Sequence, residues 1–122
     1  KTVKTLFLCN RQQTDFYLFV TLDSKPFVTK NFSAALGISR VSFATEELLF
    51  SMLGTKIGAT TVLSSIIDTE NKVRIIFDKE VLKNEWYGCT DSTTTSYMKL
   101  KTADVLEKYI PFTKHEITVI EV

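Results

Sequence analysis

A small glycine-led loop is the segment of this chain best suited to chemistry. It has the sequence Gly-Ala-Thr-Thr-Val at residues 58–62, and it follows a segment that the sequence predicts to be a helix capped by Thr45 and stopped at Gly54. Glycine lets the backbone approach a ligand closely, and consecutive amide N–H groups in such a turn can bind an anion or a carbonyl oxygen. We therefore predict that the backbone of this loop binds an anion or a carbonyl oxygen.

Lys4 is the second candidate. It lies within a β-prone run, and alternation along a strand places it on the same face as Leu6 and Leu8. A lysine on an apolar face can hold a carbonyl or a phosphate electrostatically. The alternative, which composition alone favours, is an edge-strand lysine that extends its ammonium into water and blocks pairing with other strands.

A hydroxyl-rich run is the third candidate. Residues 90–96 carry six hydroxyl groups and the carboxylate of Asp91. Such a run could form a rim of hydrogen-bonding groups around a small polar ligand. Composition alone favours the alternative, a solvated loop that leads into a threonine-rich strand.

The remaining reactive side chains form no known catalytic set. His115 is the single histidine and has no partner nucleophile, so we interpret it as a surface residue. Cys9 and Cys89 are interpreted as small buried residues rather than nucleophiles. The aspartates at turns, which include Asp68 and Asp78, show no spacing typical of an acid–base pair. The phosphate-loop, dinucleotide, zinc-protease and serine-hydrolase motifs are absent, so we expect neither a metal nor a cofactor.

Bulk properties limit the class of protein. The chain has 122 residues, of which 44% are hydrophobic, enough for one domain with its own core. The formal net charge of +1 excludes a global basic field, so any nucleic-acid contact must be local. Two cysteines without a CxxC pair are typical of a reducing cytosol. No apolar run approaches the ~20 residues that span a membrane.

The elements that must position these candidates alternate irregularly between strands and short helices. We predict helices that end at Gly37, begin after Thr45 and begin after Thr102. The predicted strands are Val3–Leu8, Phe16–Leu22, Arg40–Phe43, Val73–Phe77, Trp86–Cys89, Tyr97–Lys101 and a last one from Ile117. This pattern favours a single compact α/β domain with a mixed β-sheet and several short flanking helices.

Five segments carry a resemblance to a known family. They are KTLFL at Lys4–Leu8, SFATEEL at Ser42–Leu48, the loop Gly58–Val62, DTENKVRIIFDKEVL at Asp68–Leu82 and WYGCTDSTTTSY at Trp86–Tyr97. Together they resemble the YbaK/prolyl-tRNA synthetase-associated editing domains, in particular the stand-alone members that remove alanine from mischarged proline tRNA. The resemblance covers nearly all of residues 1–122, and it implies that the family's N-terminal helical segment is missing here.

The resemblance implies a cytoplasmic aminoacyl-tRNA deacylase that acts in trans on tRNA(Pro) without a cofactor. Its partners would be the acceptor end of tRNA(Pro) and prolyl-tRNA synthetase, with no membrane. Lys4 corresponds to the lysine of the family's first strand, and the glycine loop corresponds to the family's GxxxP loop. These matches imply catalytic roles for Lys4, Gly58, Ala59 and Thr60. They also imply a substrate pocket that contains Thr5, Leu6, Val62, Cys89, Thr90 and Thr94.

The chain departs from the family pattern at three of these positions. Val62 stands where most relatives have proline, and Thr90 and Thr94 stand where relatives often have histidine and asparagine. The last two departures keep open a catalytically altered module that binds an aminoacyl-tRNA end or a free amino acid. A second alternative is an accessory subunit docked on a synthetase.

Overall fold

The computed structural model describes residues 3–53, 73–83, 86–90, 97–102 and 117–122. In these ranges the strands are β1 (Val3–Asn10), β2 (Phe16–Leu22), β3 (Val41–Phe43), β4 (Val73–Asp78), β5 (Trp86–Thr90), β6 (Tyr97–Lys101) and β7 (Ile117–Ile120). The helices are α1 (Thr29–Leu36), α2 (Glu46–Leu53) and a single 3₁₀ turn at Val81–Lys83. The predicted strands are confirmed, with shifts of one or two residues at their ends.

A five-stranded sheet of order β3-β1-β2-β4-β7 organises the described part of the chain. β1 pairs antiparallel with β2 and with β3, whereas β2 pairs parallel with β4, and β4 pairs parallel with β7. β5 and β6 form a separate antiparallel pair. The predicted mixed sheet is therefore confirmed.

A hydrogen-bonded turn joins β1 to β2. Oδ1 of Asn10 accepts from the backbone N–H of Thr14 and of Asp15, and Nδ2 of Asn10 donates to the side-chain oxygens of the same two residues. Gln13 has a φ of 56°, a left-handed conformation uncommon outside glycine. One asparagine thus fixes the register of the hairpin on which Lys4 lies.

Hydrophobic clusters cover both faces of the sheet. The α1 face includes Leu8, Tyr17, Phe19, Phe32 and Ile76, with Leu6 and Phe27 packed against them. The α2 face includes Phe7, Cys9, Phe16, Leu18 and Val73, with Leu48 and Met52 packed against them. Every residue of β2 is buried, as its continuous apolar run predicts for a strand covered on both sides.

The two helices end and begin at the residues that the sequence indicates. Gly37 closes α1 with a φ of 67°, and its N–H bonds to the carbonyl of Ala34, so the glycine supplies the left-handed cap. Thr45 caps α2, because its Oγ1 accepts the backbone N–H of Leu48 at 3.2 Å. No helix in the described part is long and apolar enough to cross a membrane.

Candidate functional site

Lys4 lies near the start of β1, directly opposite Thr21 of β2. In the same register Leu6 faces Phe19 and Leu8 faces Tyr17, and all four belong to the α1 face. Side chains two residues apart on a strand share a face, so Lys4 leaves the sheet on the α1 face. The predicted shared face of Lys4, Leu6 and Leu8 is confirmed, and the lysine is half-buried there.

The surroundings of Lys4 leave its ammonium without a protein partner among the described residues. No hydrogen bond or ion pair joins Lys4 to any of them. β3 pairs only with residues 8–10 of β1, so it does not run beside Lys4. β5 comes within 8 Å of β1, measured between Cα atoms, and so brings the second sheet close to this strand.

The predicted pocket residues of β1 and β5 fall into separate groups. Leu6 shares the α1 face with Lys4, whereas Thr5 lies on the opposite, α2 face together with Phe7 and Cys9. Cys89 and Thr90 are consecutive residues of β5, paired with Met98 and Tyr97 of β6. The approach of β5 to β1 places these two segments near each other.

The other predicted site residues lie outside the described residues. These are Gly58, Ala59, Thr60 and Val62 of the glycine loop, and Thr94 of the hydroxyl-rich run. The histidine interpreted as a surface residue, His115, lies outside them as well.

A buried polar cluster beside Lys4 was not predicted from the sequence. Asp78 has a side chain only 1% exposed, and its Oδ2 accepts from Lys25 Nζ at 2.9 Å and from Thr21 Oγ1 at 2.7 Å. The backbone N–H of Glu80 donates to Oδ1 at 3.0 Å. Thr21 and Lys25 lie 57 and 53 residues from Asp78 in sequence, so no spacing signal could have joined them. The only available hint was an aspartate that directly follows the predicted strand Val73–Phe77.

The hydrogen bonds of this cluster determine the charge states of Asp78 and Lys25. Burial by itself would raise the pKa of Asp78, but the hydrogen bonds from Lys25, Thr21 and Glu80 outweigh burial and lower it. Burial would likewise lower the pKa of Lys25, but the bond to Asp78 and the charge of Glu80 raise it. Both groups are therefore ionised near neutral pH, and they neutralise each other.

A pocket of about 240 Å³ opens on the α1 face next to this cluster. Its lining is largely apolar and aromatic, with Thr21 and Lys25 on one side. Because Thr21 is the strand partner of Lys4, the lysine lies directly beside the pocket, with Cβ atoms of such paired residues about 5 Å apart. The α1 face thus combines a small apolar cavity with a cation that has no partner among the described residues. This arrangement is suited to an anionic or carbonyl group attached to an apolar or aromatic group.

Comparisons with known proteins connect this chain to a family. The model of the aminoacyl-tRNA editing domain matches residues 1–108. Prolyl-tRNA synthetase associated domain-containing protein 1 of Danio rerio is 29% identical over 114 residues, which cover 92% of this chain. The match covers 61% of that relative, so the chain spans about three fifths of its length.

Two crystal structures share the fold. Hypothetical protein APE2540 matches with a TM-score of 0.72 and 13% identity, over 98% of this chain and 73% of its own. A candidate trans-editing enzyme for prolyl tRNA synthetase matches with a TM-score of 0.71 and 14% identity, over 99% and 70% of the two chains. At these identities the likeness shows the mixed α/β fold.

Proposed function

The chain belongs to the aminoacyl-tRNA editing domain family, and on that premise we propose that it is a trans-acting deacylase that hydrolyses mischarged tRNA(Pro). The amino acid that it removes is alanine. Its partners are the acceptor end of tRNA(Pro) and, as the source of the mischarged substrate, prolyl-tRNA synthetase in the cytoplasm. The family match and the name of the Danio rerio relative support this proposal.

The observation that carries the proposal is the environment of the Lys4 side chain. It is half-buried on the α1 face, and none of the described residues neutralises it. An ammonium in such a place is available to an anionic or carbonyl group of a ligand, whereas a lysine that only guarded an edge would extend into water. In this family the substrate end carries both a phosphodiester and an ester carbonyl, and either group suits this cation.

The reaction needs little dedicated machinery. A water oxygen attacks the carbonyl carbon of the aminoacyl ester, the bond from that carbon to the ribose oxygen breaks, and a proton passes to the departing ribose oxygen. Free alanine and uncharged tRNA result. Negative charge develops on the carbonyl oxygen, so a fixed cation and backbone N–H groups accelerate the step by stabilising it. Lys4 supplies the cation, and the loop at residues 58–60 supplies the N–H groups.

The selection for alanine is steric. Proline is larger than alanine, so a small amino-acid pocket excludes the prolyl group of correctly charged tRNA(Pro) by steric clash. Exclusion of a larger group is more effective than rejection of a smaller one, for which each missing methylene yields only ~1–3 kcal/mol. We assign this pocket to Leu6, Val62, Cys89, Thr90 and Thr94. Thr5 is left out, because it lies on the opposite face of β1. Thr90 and Thr94 differ from the residues common in relatives, so amino-acid preference is the property that they most directly affect.

A deacylation panel tests the proposal. tRNA(Pro) charged with alanine, serine or proline is incubated with the full chain, and the release of amino acid is followed over time. We expect rapid release of alanine and protection of proline. Release of proline at an equal rate would contradict the size selection, and binding of all three species without release would identify the protein as a non-catalytic binding module.

A further inference from the structure

The pocket beside Thr21 differs from an amino-acid site in size and lining. Its volume of about 240 Å³ is below the ~300–1,000 Å³ typical of drug-sized ligands, so it accommodates a single small ring system. A methyl group such as the side chain of alanine would leave most of it to water. The lining residues are Phe19, Thr21, Lys25, Pro26, Phe27, Val28, Asn31, Phe32 and Val122.

The aromatic wall of the pocket is rigid. The ring of Phe27 packs against Phe19, Phe32 and Phe43, with centroid separations of 5.9, 5.9 and 5.5 Å. Three ring neighbours hold Phe27 in one orientation, and Phe27 remains half-buried, so part of its surface faces the pocket. A fixed ring beside a small cavity favours a flat aromatic ligand, because each base stacked on such a ring contributes roughly 1–3 kcal/mol.

The pocket also carries one uncommitted amide. Asn31 lies in the first turn of α1 and is exposed, and no hydrogen bond of its side chain is present within the described ranges. Thr21 and Lys25, by contrast, are bound to Asp78. An asparagine side chain pairs in bidentate fashion with the N6 amino group and N7 of adenine. The free polar group of the pocket thus matches adenine in particular among the bases.

We propose that this pocket binds the adenine base of the 3′-terminal nucleotide of the aminoacylated RNA, with Phe27 as the stacking ring and Asn31 as the reader of the base edge. The inference rests on the proposed function and deepens it, since it assigns a place to the base in addition to the ester. The base then lies on the Thr21 side of Lys4, while the ester and the amino acid lie on the side of β1 that β5 approaches.

The first test compares two substrates and two proteins. Alanyl-RNA ends either in adenosine or in 7-deazaadenosine, which lacks the N7 acceptor, and steady-state deacylation is measured for the original chain and for Asn31→Ala. We expect the original chain to show a KM about fivefold higher for the deaza substrate, and Asn31→Ala to show a KM raised roughly tenfold and equal for both. If Asn31→Ala still discriminates between the two substrates, the assignment of Asn31 is overturned.

Matched variants distinguish the loss of stacking from a loss of the folded structure. Phe27→Leu keeps an apolar group but removes the ring, and we expect it to raise KM severalfold while kcat changes little. Phe50→Leu, an exposed phenylalanine of α2, and Gln12→Ala, an exposed amide of the β1–β2 turn, serve as controls and leave KM unchanged. Thermal unfolding of each variant identifies any loss of fold. A change in the preference for alanine over proline in Phe27→Leu would instead identify the pocket as the amino-acid site and overturn the proposal.

A binding measurement distinguishes failure of this inference from failure of the proposed function. The probe is an analogue in which alanine is joined to the 3′ position of adenosine through a stable amide. Binding that weakens about tenfold in Asn31→Ala, in a protein that releases no amino acid from any ester, retains the base site and overturns the hydrolase. Rapid hydrolysis together with binding that Asn31→Ala leaves unchanged retains the hydrolase and overturns the base site.

Discussion

Two lysines on the same side of the sheet have opposite environments. Lys25 lies 2.9 Å from the carboxylate of Asp78 and 3.5 Å from that of Glu80. Lys4 lies one strand away, opposite Thr21, and has no partner within the described ranges. Both are partly buried; Lys25 lines the pocket, whereas Lys4 is the strand partner of the lining residue Thr21. They therefore differ in the interactions available to them rather than in exposure.

This difference indicates a structural role for Lys25 and makes Lys4 the candidate for a functional role. A buried carboxylate without a partner is costly, and Lys25 removes that cost for Asp78, so the pair serves the fold. An unpaired, half-buried ammonium gives the fold no such benefit. It becomes useful when a ligand supplies the missing negative charge, which is the role that we propose for Lys4.

The largest expected effect is on catalysis by the unpaired lysine. Lys4→Ala should lower kcat/KM for alanyl-tRNA(Pro) by roughly 10²–10³-fold, the loss typical when one group that stabilises a developing oxyanion is removed. The free energy of unfolding should stay within ~0.5 kcal/mol, because no partner of Lys4 among the described residues loses an interaction. Deacylation kinetics and denaturant titration measure the two quantities.

Lys79→Ala is the matched control for that experiment. Lys79 is an exposed lysine in a long, 3.8 Å contact with Glu121, outside the α1-face pocket. We expect unchanged kinetics and unchanged stability. An equal loss of activity in both variants would mean that the general positive charge, rather than the place of Lys4, drives the reaction.

The second effect concerns the paired lysine and falls on stability. Asp78→Ala should destabilise the protein by about 3 kcal/mol, because Lys25 and the hydroxyl of Thr21 lose their buried acceptor. Urea denaturation followed by circular dichroism measures the change. The double variant Lys25→Met/Asp78→Asn should recover part of the lost stability, since no charge then remains without a partner. A loss below 1 kcal/mol in Asp78→Ala would contradict the structural role of the pair.

The third effect is the response of this pair to acid. Because the fold lowers the pKa of Asp78, the stability gained from the ionised carboxylate is present above the pKa of the unfolded chain, about 3.9. It is lost as the pH falls through the lower value of the folded state. The amount by which the free energy of unfolding of the unsubstituted chain exceeds that of Asp78→Asn should therefore decrease below about pH 4. Denaturation curves between pH 2 and pH 7 test this, and a constant advantage would contradict it.

The smallest effect belongs to the hydroxyl of Thr21, which donates to Asp78. Thr21→Val keeps the shape of the side chain but removes its 2.7 Å bond to Asp78, and we expect a loss of about 1 kcal/mol of stability. In combination with Asp78→Ala the change should add almost nothing, because the acceptor is already gone. Fully additive losses would mean that Thr21 acts through another contact.

Local chemistry made much of the fold predictable. The continuous apolar run at Phe16–Leu22 predicts a strand buried on both faces, and Gly37 and Thr45 mark a helix end and a helix start that the structure confirms. The alternation around Lys4 predicted its face for the same reason, since a period of two needs only neighbouring residues.

Long-range contacts could not be predicted in this way. The sequence interpretation treated Asp78 as one of several aspartates scattered at turns, but 53 positions separate it from Lys25, and only the parallel pairing of β2 with β4 brings them together. The pocket has the same origin, since its walls come from β2, from the segment that leads into α1, from α1 itself and from Val122, which follows β7. The roles of the glycine loop and of Thr94 stay predictions.

The parallel contact between β2 and β4 also has a consequence for synthesis on the ribosome. Thr21 emerges 57 residues before Asp78, which at 5–20 residues per second is a wait of roughly 3–11 s. During that interval α1, β3 and α2 are translated, but the edge of β2 that β4 later pairs with has no partner strand. Nascent chains of this protein are therefore expected to need a chaperone most in those seconds, before β4 has been translated.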